Sequence, residues 1–450
     1  EIEALKPGST DFFVYDHKII DHDFTMMEPL FEIEFSEEYA TLMNLYKASD
    51  LPLNSPERAA LKKKLDSFPD TARYNLTIRD NQFSFLRYIY NTGRAYWRKE
   101  ELGHPLSAEE KKEVELHFIN KVCALGYQIF KYKEAGLAYG IYAMELESSD
   151  VGTHLGGTGK SLFISSIEQV RKQLFINGQD LNMNDAQFLF SGVERGVTDH
   201  VFFDDLNEFI DLHRFMPMIT GKMSVNAKYQ NAFTLDFSDS PRVAFTSNHG
   251  IKNFDASLRR RTWFTAFSSY YHPDDPMRGL KERSPFTEFG KNLITDYTTG
   301  EMNQFYNFML QCLQTFLRFR ERIQPPMGQI EKRNIQRAIG DEFIWWAEDY
   351  FNADRLNVLI NKHTAFEAYK ATLNEKTAKM IKINTFKNRL IQFCQYNDWV
   401  FNPPGMLTSE TEKERNEIRR KENGEDAYFY FISTYSTGKK DVDDYDGLPL

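Results

Sequence analysis

The run Gly156-Gly-Thr-Gly-Lys160-Ser161, followed by apolar residues at helical spacing from Leu162 to Phe175, constrains this 450-residue chain more than any other feature. Glycines let a backbone turn its N–H groups inward around an anion. A lysine placed after them reaches the β- and γ-oxygens of a nucleotide, and the serine hydroxyl next to it binds Mg²⁺. The run therefore reads as a phosphate-binding loop opening a helix, with Gly156, Gly157, Thr158, Gly159, Lys160 and Ser161 as the nucleotide-binding set. The usual GxxxxGK spacing would put a glycine at position 154, where this chain has His154, and the segment before the loop is not a clean apolar strand. The plain alternative is a flexible glycine loop without a ligand.

A phosphate loop hydrolyses nothing unless a carboxylate stands at the end of a neighbouring strand. Val201-Phe-Phe-Asp204-Asp205 supplies one: Asp204 is placed to hold Mg²⁺, and Asp205 to polarise the attacking water. Arg242-Val-Ala-Phe-Thr-Ser-Asn248 is an apolar strand ending in an amide suited to sensing the γ-phosphate, although Asn248-His-Gly250 also has the composition of a turn. Arg259-Arg-Arg261 follows, and an arginine offered to a neighbouring subunit stabilises transition-state charge. A plain basic surface is the other reading of that triplet.

The order GGTGKS, VFFDD, a basic hairpin-like segment, FTSN and RRR, all within residues 156–261, resembles a superfamily 3 helicase. More narrowly it is similar to the AAA+ module of virus-, phage- and mobile-element-type primase-helicases. The resemblance implies an ATP- and Mg²⁺-dependent motor that translocates on single-stranded DNA as a ring, expected to be a homo-hexamer. A primase domain or subunit is a further expected partner; a single-strand-binding protein is expected from the acidic tail alone, which resembles in composition the acidic tips such proteins use to recruit partners. Lys160 and Ser161 would bind nucleotide and metal, Asp204 the metal, Asp205 the water, and Asn248 would be the sensor, while Arg260 or Arg261 would complete the neighbour's site. A hairpin between the acidic strand and the Asn strand would follow the DNA backbone, with Lys228 the first choice for that contact and Lys222 the second. Two other readings stand beside it: a nucleotide-switched DNA-binding or remodelling protein without processive unwinding, and a replication scaffold.

A net charge of -10 argues against a uniformly nucleic-acid-binding surface. Residues 210–261, however, carry eight basic and four acidic side chains. Three cysteines, Cys123, Cys312 and Cys394, are too scattered for a metal site or a disulfide framework and suit a reducing compartment; the resemblance to phage- and mobile-element proteins implies the cytoplasm of a bacterial cell. No leader follows Glu1 and no apolar run spans a membrane, so neither signal peptide nor membrane partner is expected.

The expected organisation is an α/β AAA+ core at 136–270 between a mostly helical N-terminal domain at 1–135 and a helical extension and linker at 271–333. A winged-helix-like domain at 334–436 and an acidic flexible tail at 437–450 follow. Ser36 and Ser55 are candidate helix caps, and Ser107-Ala-Glu-Glu110 has capping-box spacing. The aromatic and basic stretch from Phe83 to Lys99 reads first as a packed helix and second as a cationic face. The charged run from Glu412 to Glu422 reads as a solvated loop.

Overall fold

Five parallel strands form one sheet: β1 (Gly140–Glu145), β2 (Gln173–Asn177), β3 (His200–Leu206), β4 (Arg242–Ser247) and β5 (Thr262–Phe267). In this computed structural model, residues 15–48, 55–146, 156–181, 188–207, 209–226, 231–251, 254–276, 279–422 and 424–434 are described. The sheet order is β2-β3-β4-β1-β5. β1, β4 and β5 are buried along their whole length, so none of them shows the alternation of a half-exposed strand.

The helix after the phosphate loop is shorter than its sequence pattern predicts. α2 (Lys160–Ser165) gives way to a 3-10 turn at Ser166–Gln169, and Phe175 lies in strand β2. The reason is tertiary: β2 pairs with β3 from Gln173↔His200 to Asn177↔Asp204, and that ladder outweighs local helical spacing. β1, which the sequence did not single out, ends ten residues before the glycine run.

A helical layer covers the sheet. α1 (Ala108–Ile129) starts at a capping box in which Ser107 and Glu110 satisfy each other's backbone N–H groups, as their spacing predicts. It crosses α4 (Thr299–Phe319) so closely that a Cβ on Gly126 would lie 2.1 Å from the Cys312 carbonyl oxygen. Asn120 Nδ2 ties α1 to the Phe264 carbonyl of β5 at 2.9 Å. Phe305, Phe308 and Phe316 of α4 are buried, each contributing roughly 1.5–3 kcal/mol. Ser55 caps its helix as expected, accepting from Arg58 N–H at 3.2 Å.

The N-terminal region is not purely helical, because Phe31–Phe35 and Tyr74–Ile78 pair antiparallel. In the Phe83–Lys99 stretch, Phe85, Tyr88 and Ile89 are buried, while Arg87, Arg94 and Lys99 pair with Glu288, Glu100 and Glu110. This is the packed-helix reading, with its cations largely neutralised.

The chain divides into two compact units, 1–249 with 254–330, and 250–253 with 331–450. In the second, helices Lys362–Lys370 and Ile383–Tyr396 pack with strands Leu359–Asn361, Val400–Phe401 and Glu425–Ser433, and a short exposed helix, Glu375–Met380, lies between the two helices in the chain. Phe386, Leu390, Phe393 and Cys394 are buried, as their helical spacing predicts. The run expected to be a solvated loop is instead structured, with a helix at Glu410–Arg415 and a strand at Ile418–Glu422 hairpinned to Glu425–Ser433. Glu412, 5% exposed, holds it together by accepting from the N–H groups of Thr408, Ser409 and Arg419.

Candidate nucleotide site

Strand order builds the site. Because β4 lies between β1 and β3, the carboxyl ends of three adjacent strands bring together the approach to the phosphate loop, the acidic pair and Asn248. Crevices at such carboxyl edges are where open α/β sheets bind ligands.

The loop has the backbone that its glycines allow. Gly156, Gly157 and Gly159 have φ of +56°, +67° and +96°, conformations that L side chains rarely adopt. Gly159 is doubly constrained, since a Cβ there would meet Tyr88 Cε2 at 2.8 Å. The buried Tyr88 hydroxyl donates to the Gly159 carbonyl at 2.5 Å, and burial raises its pKa well above the ordinary value, so it stays a donor. Lys160 Nζ donates to Glu145 Oε1 at 2.7 Å and to Thr158 Oγ1 at 3.1 Å.

The acidic pair is held by a small hydrogen-bond network. Asp204 Oδ1 accepts from Ser161 Oγ at 2.7 Å and from Thr246 Oγ1 at 2.6 Å. The same Thr246 oxygen accepts the Asp205 N–H at 2.7 Å. The β3–β4 register shifts between Phe203 and Leu206, and Asp205 takes φ +53°. That local irregularity re-aims successive side chains: Asp204 bonds Ser161, while Asp205 Oδ1 accepts from Asn248 Nδ2 at 3.0 Å and Oδ2 from Gln179 Nε2 at 2.9 Å.

The Ser161 and Asp204 oxygens fit a magnesium ion. Both are the hard oxygen donors Mg²⁺ prefers, and they converge to 2.7 Å.

Ser161, Asp204, Asp205 and Asn248 are thus joined in one network with Thr246 and Gln179, and Lys160, next to Ser161 in the chain, makes a separate set of bonds with Glu145 and Thr158. The arginines stand apart on α3 (Ala256–Arg261), which Asp255 caps by accepting from Leu258 N–H. Arg260 is exposed and Arg261 Nη1 bonds Ser257 Oγ at 2.8 Å. Among the described residues, neither bonds the phosphate loop or the acidic pair. Arg322 Nη1 fastens the end of α3 by donating to the carbonyls of Arg259 and Arg260 at 2.7 and 3.1 Å.

Between β3 and β4, Met223–Val225 and Phe233–Leu235 form an antiparallel hairpin. Lys222 at its base pairs with Asp236 at 2.9 Å, both exposed. Lys228, like His154, lies outside the described residues.

Sequence reading missed four residues that hold the site: Thr246, Gln179, Glu145 and Tyr88. Thr246 sits two residues before Asn248 in a strand otherwise read for its apolar face. Gln179 lies in the turn after β2 and Glu145 ends β1, and neither segment carried a motif. Tyr88 was read as one aromatic among many, and nothing local linked it to a glycine 71 positions away.

No family model matches the chain, and no curated protein does. Solved structures do match. The C-terminal region of NrS-1 shares 12% identity over 79% of this chain and 76% of that one, with a TM-score of 0.31. JCV helicase shares 11% identity over 66% of this chain and 82% of that one, with a TM-score of 0.25. TM-scores this low leave the assignment of function to the residues of the site itself.

Proposed function

We propose that this chain is an ATPase whose hydrolysis drives a DNA helicase motor. The observation that carries the reading is the hydrogen-bonded convergence of Ser161, Asp204, Asp205 and Asn248 at the carboxyl ends of adjacent strands, with Lys160 next to Ser161 in the chain.

In this reading the N–H groups of the Gly156–Gly159 turn cradle the phosphates, and Lys160 extends to the β- and γ-oxygens. Ser161 and Asp204 hold Mg²⁺, which when bound neutralises charge on those oxygens. Asp205 orients the attacking water. An ionised carboxylate only accepts, and the amides of Asn248 and Gln179 occupy one site on each of its oxygens, leaving the others for water. Asn248 thereby couples the water-orienting group to the strand end facing the γ-phosphate.

Arg260 and Arg261 do not reach their own acidic pair, which agrees with an arginine supplied to the neighbouring subunit of a ring. The hairpin after β3 is the proposed DNA-tracking element, with Lys228 and Lys222 on it. The parallel sheet is proposed to be an AAA+ core. The helices between Lys362 and Tyr396 and the hairpinned strands Ile418–Glu422 and Glu425–Ser433 are proposed to be winged-helix-like.

The test is ATP hydrolysis with and without single-stranded DNA, beside Lys160→Ala and Lys228→Ala. DNA-stimulated turnover that Lys160→Ala abolishes, with only the stimulation lost in Lys228→Ala, supports the motor. ATP binding with background turnover in a ring assembled on DNA refutes it and favours a nucleotide-switched DNA-binding protein.

A further inference from the structure

The lysine of the phosphate loop already has an anionic partner. Glu145 is the last residue of β1, and its side chain is 5% exposed against 8% for Lys160. The bond between them is 2.7 Å. β1 is the fourth of five strands, paired with β4 on one side and with β5 through Glu145↔Phe267 on the other. The carboxylate is therefore anchored to rigid backbone, while the lysine stands on a four-carbon stem. When that stem extends to a triphosphate, Glu145 does not follow.

We propose that Glu145 is a latch on the phosphate loop. It is a positioning residue that holds Lys160 withdrawn until the β- and γ-phosphates of a nucleoside triphosphate displace it. The proposal rests on the reading that this loop binds ATP. Two anions compete for one ammonium, so binding is an exchange of ion pairs rather than a gain of one. Both partners are shielded from water, where such bonds are strong and an unpaired charge is costly. After the exchange Glu145 faces a polyanion of its own sign, which limits affinity and favours return of the lysine once the phosphates leave. Asp204 does not serve this purpose, since its Oδ1 engages Ser161 and Thr246.

The experiment measures binding of ATPγS and of AMP to the full chain and to Glu145→Gln, Glu145→Asp and Lys160→Ala, with folding of each variant followed by circular dichroism. Removing the competitor should tighten ATPγS roughly 10- to 100-fold in Glu145→Gln, the range set by one charge-assisted hydrogen bond. Glu145→Asp, one methylene shorter, should move the same way by less. AMP, which lacks the phosphates Lys160 reaches, should bind all three Glu145-series proteins alike, a selectivity that a general structural role would not produce. Unchanged or weaker ATPγS binding in folded variants overturns the latch. So does failure of both variants to fold, because the carboxylate would then be a structural group. If Lys160→Ala binds ATPγS as well as the unaltered chain does, the phosphate-loop reading itself fails, an outcome distinct from failure of the latch alone.

Discussion

Replacing Lys121 with methionine should stabilise the protein at neutral pH, although it removes a charge from the middle of the longest helix. Lys121 is 0% exposed on α1, its Nζ has no hydrogen-bond partner among the described residues, and it lies 4.8 Å from the centroid of the Phe267 ring at the end of β5. Burial lowers its pKa from 10.5 to about 7. A lysine whose folded pKa is depressed binds fewer protons folded than unfolded throughout that interval, so stability rises with pH from about 7 to about 10.5. At about 1.4 kcal/mol per pH unit, the cost at pH 7 relative to the alkaline limit is about 4 kcal/mol. The cation–π contact returns only part of this. Methionine keeps the length and drops the charge, losing about 1 kcal/mol or less to imperfect shape. Denaturant unfolding of the unit containing α1, at pH 7 and pH 9.5, should show Lys121→Met more stable by a few kcal/mol at pH 7 and the gap narrowing at pH 9.5. The neighbouring His117, held neutral by burial and then by Lys121, titrates below this window in the unfolded chain and leaves the comparison intact. A methionine variant less stable at pH 7, or a gap that does not change with pH, would refute the reasoning.

Three further outcomes are expected. Gly159→Ala combines a φ of +96° with a Cβ 2.8 Å from the buried Tyr88 ring, a strain of about 1–2 kcal/mol before any clash. ATPγS binding should weaken at least tenfold by titration, and affinity equal to that of the unaltered chain would contradict the loop geometry. Asn248→Ala should lower kcat on the order of 10²-fold with nucleotide affinity nearly unchanged, and Gln179→Ala should act in the same direction but less. Steady-state kinetics would count against the water-orienting role of Asp205 if KM rose while kcat held. His213 bridges Asp211 at 2.9 Å and Asp255, the cap of α3, at 3.2 Å. The bond to Asp211, opposed by partial desolvation and aided by Asp255, raises its pKa above 6.5. The bridge is thus complete below pH 6.5 and is lost as pH rises through the folded pKa. An NMR titration of the His213 ring should have its midpoint above 6.5, and one at or below 6.5 would show that the bridge does not form in solution.

The chemistry-bearing residues were legible in the sequence because each is local. A glycine run, two acids after Val201-Phe-Phe203 and an amide after an apolar strand announce themselves within a few positions, since phosphate binding and metal binding need particular residue types in short order. Capping of α1 by Ser107 and Glu110 was legible for the same reason, as was the buried face of Ile383–Tyr396. Short strands were not. Phe31–Phe35, Tyr74–Ile78 and β2 are five residues each, and five residues do not distinguish a strand from part of a helix until a partner pairs with them.

By itself, the sequence singled out the side chains proposed to bind phosphate, metal and water, and their order along the chain. Only the tertiary structure decided that β4 lies between β1 and β3, so that Asn248 meets Asp205 and Thr246 spans both acids. Only it seated Tyr88 against Gly159 and Glu145 against Lys160. Those contacts join residues far apart in the chain, and their partners are chosen by strand order and helix packing, which no local pattern encodes.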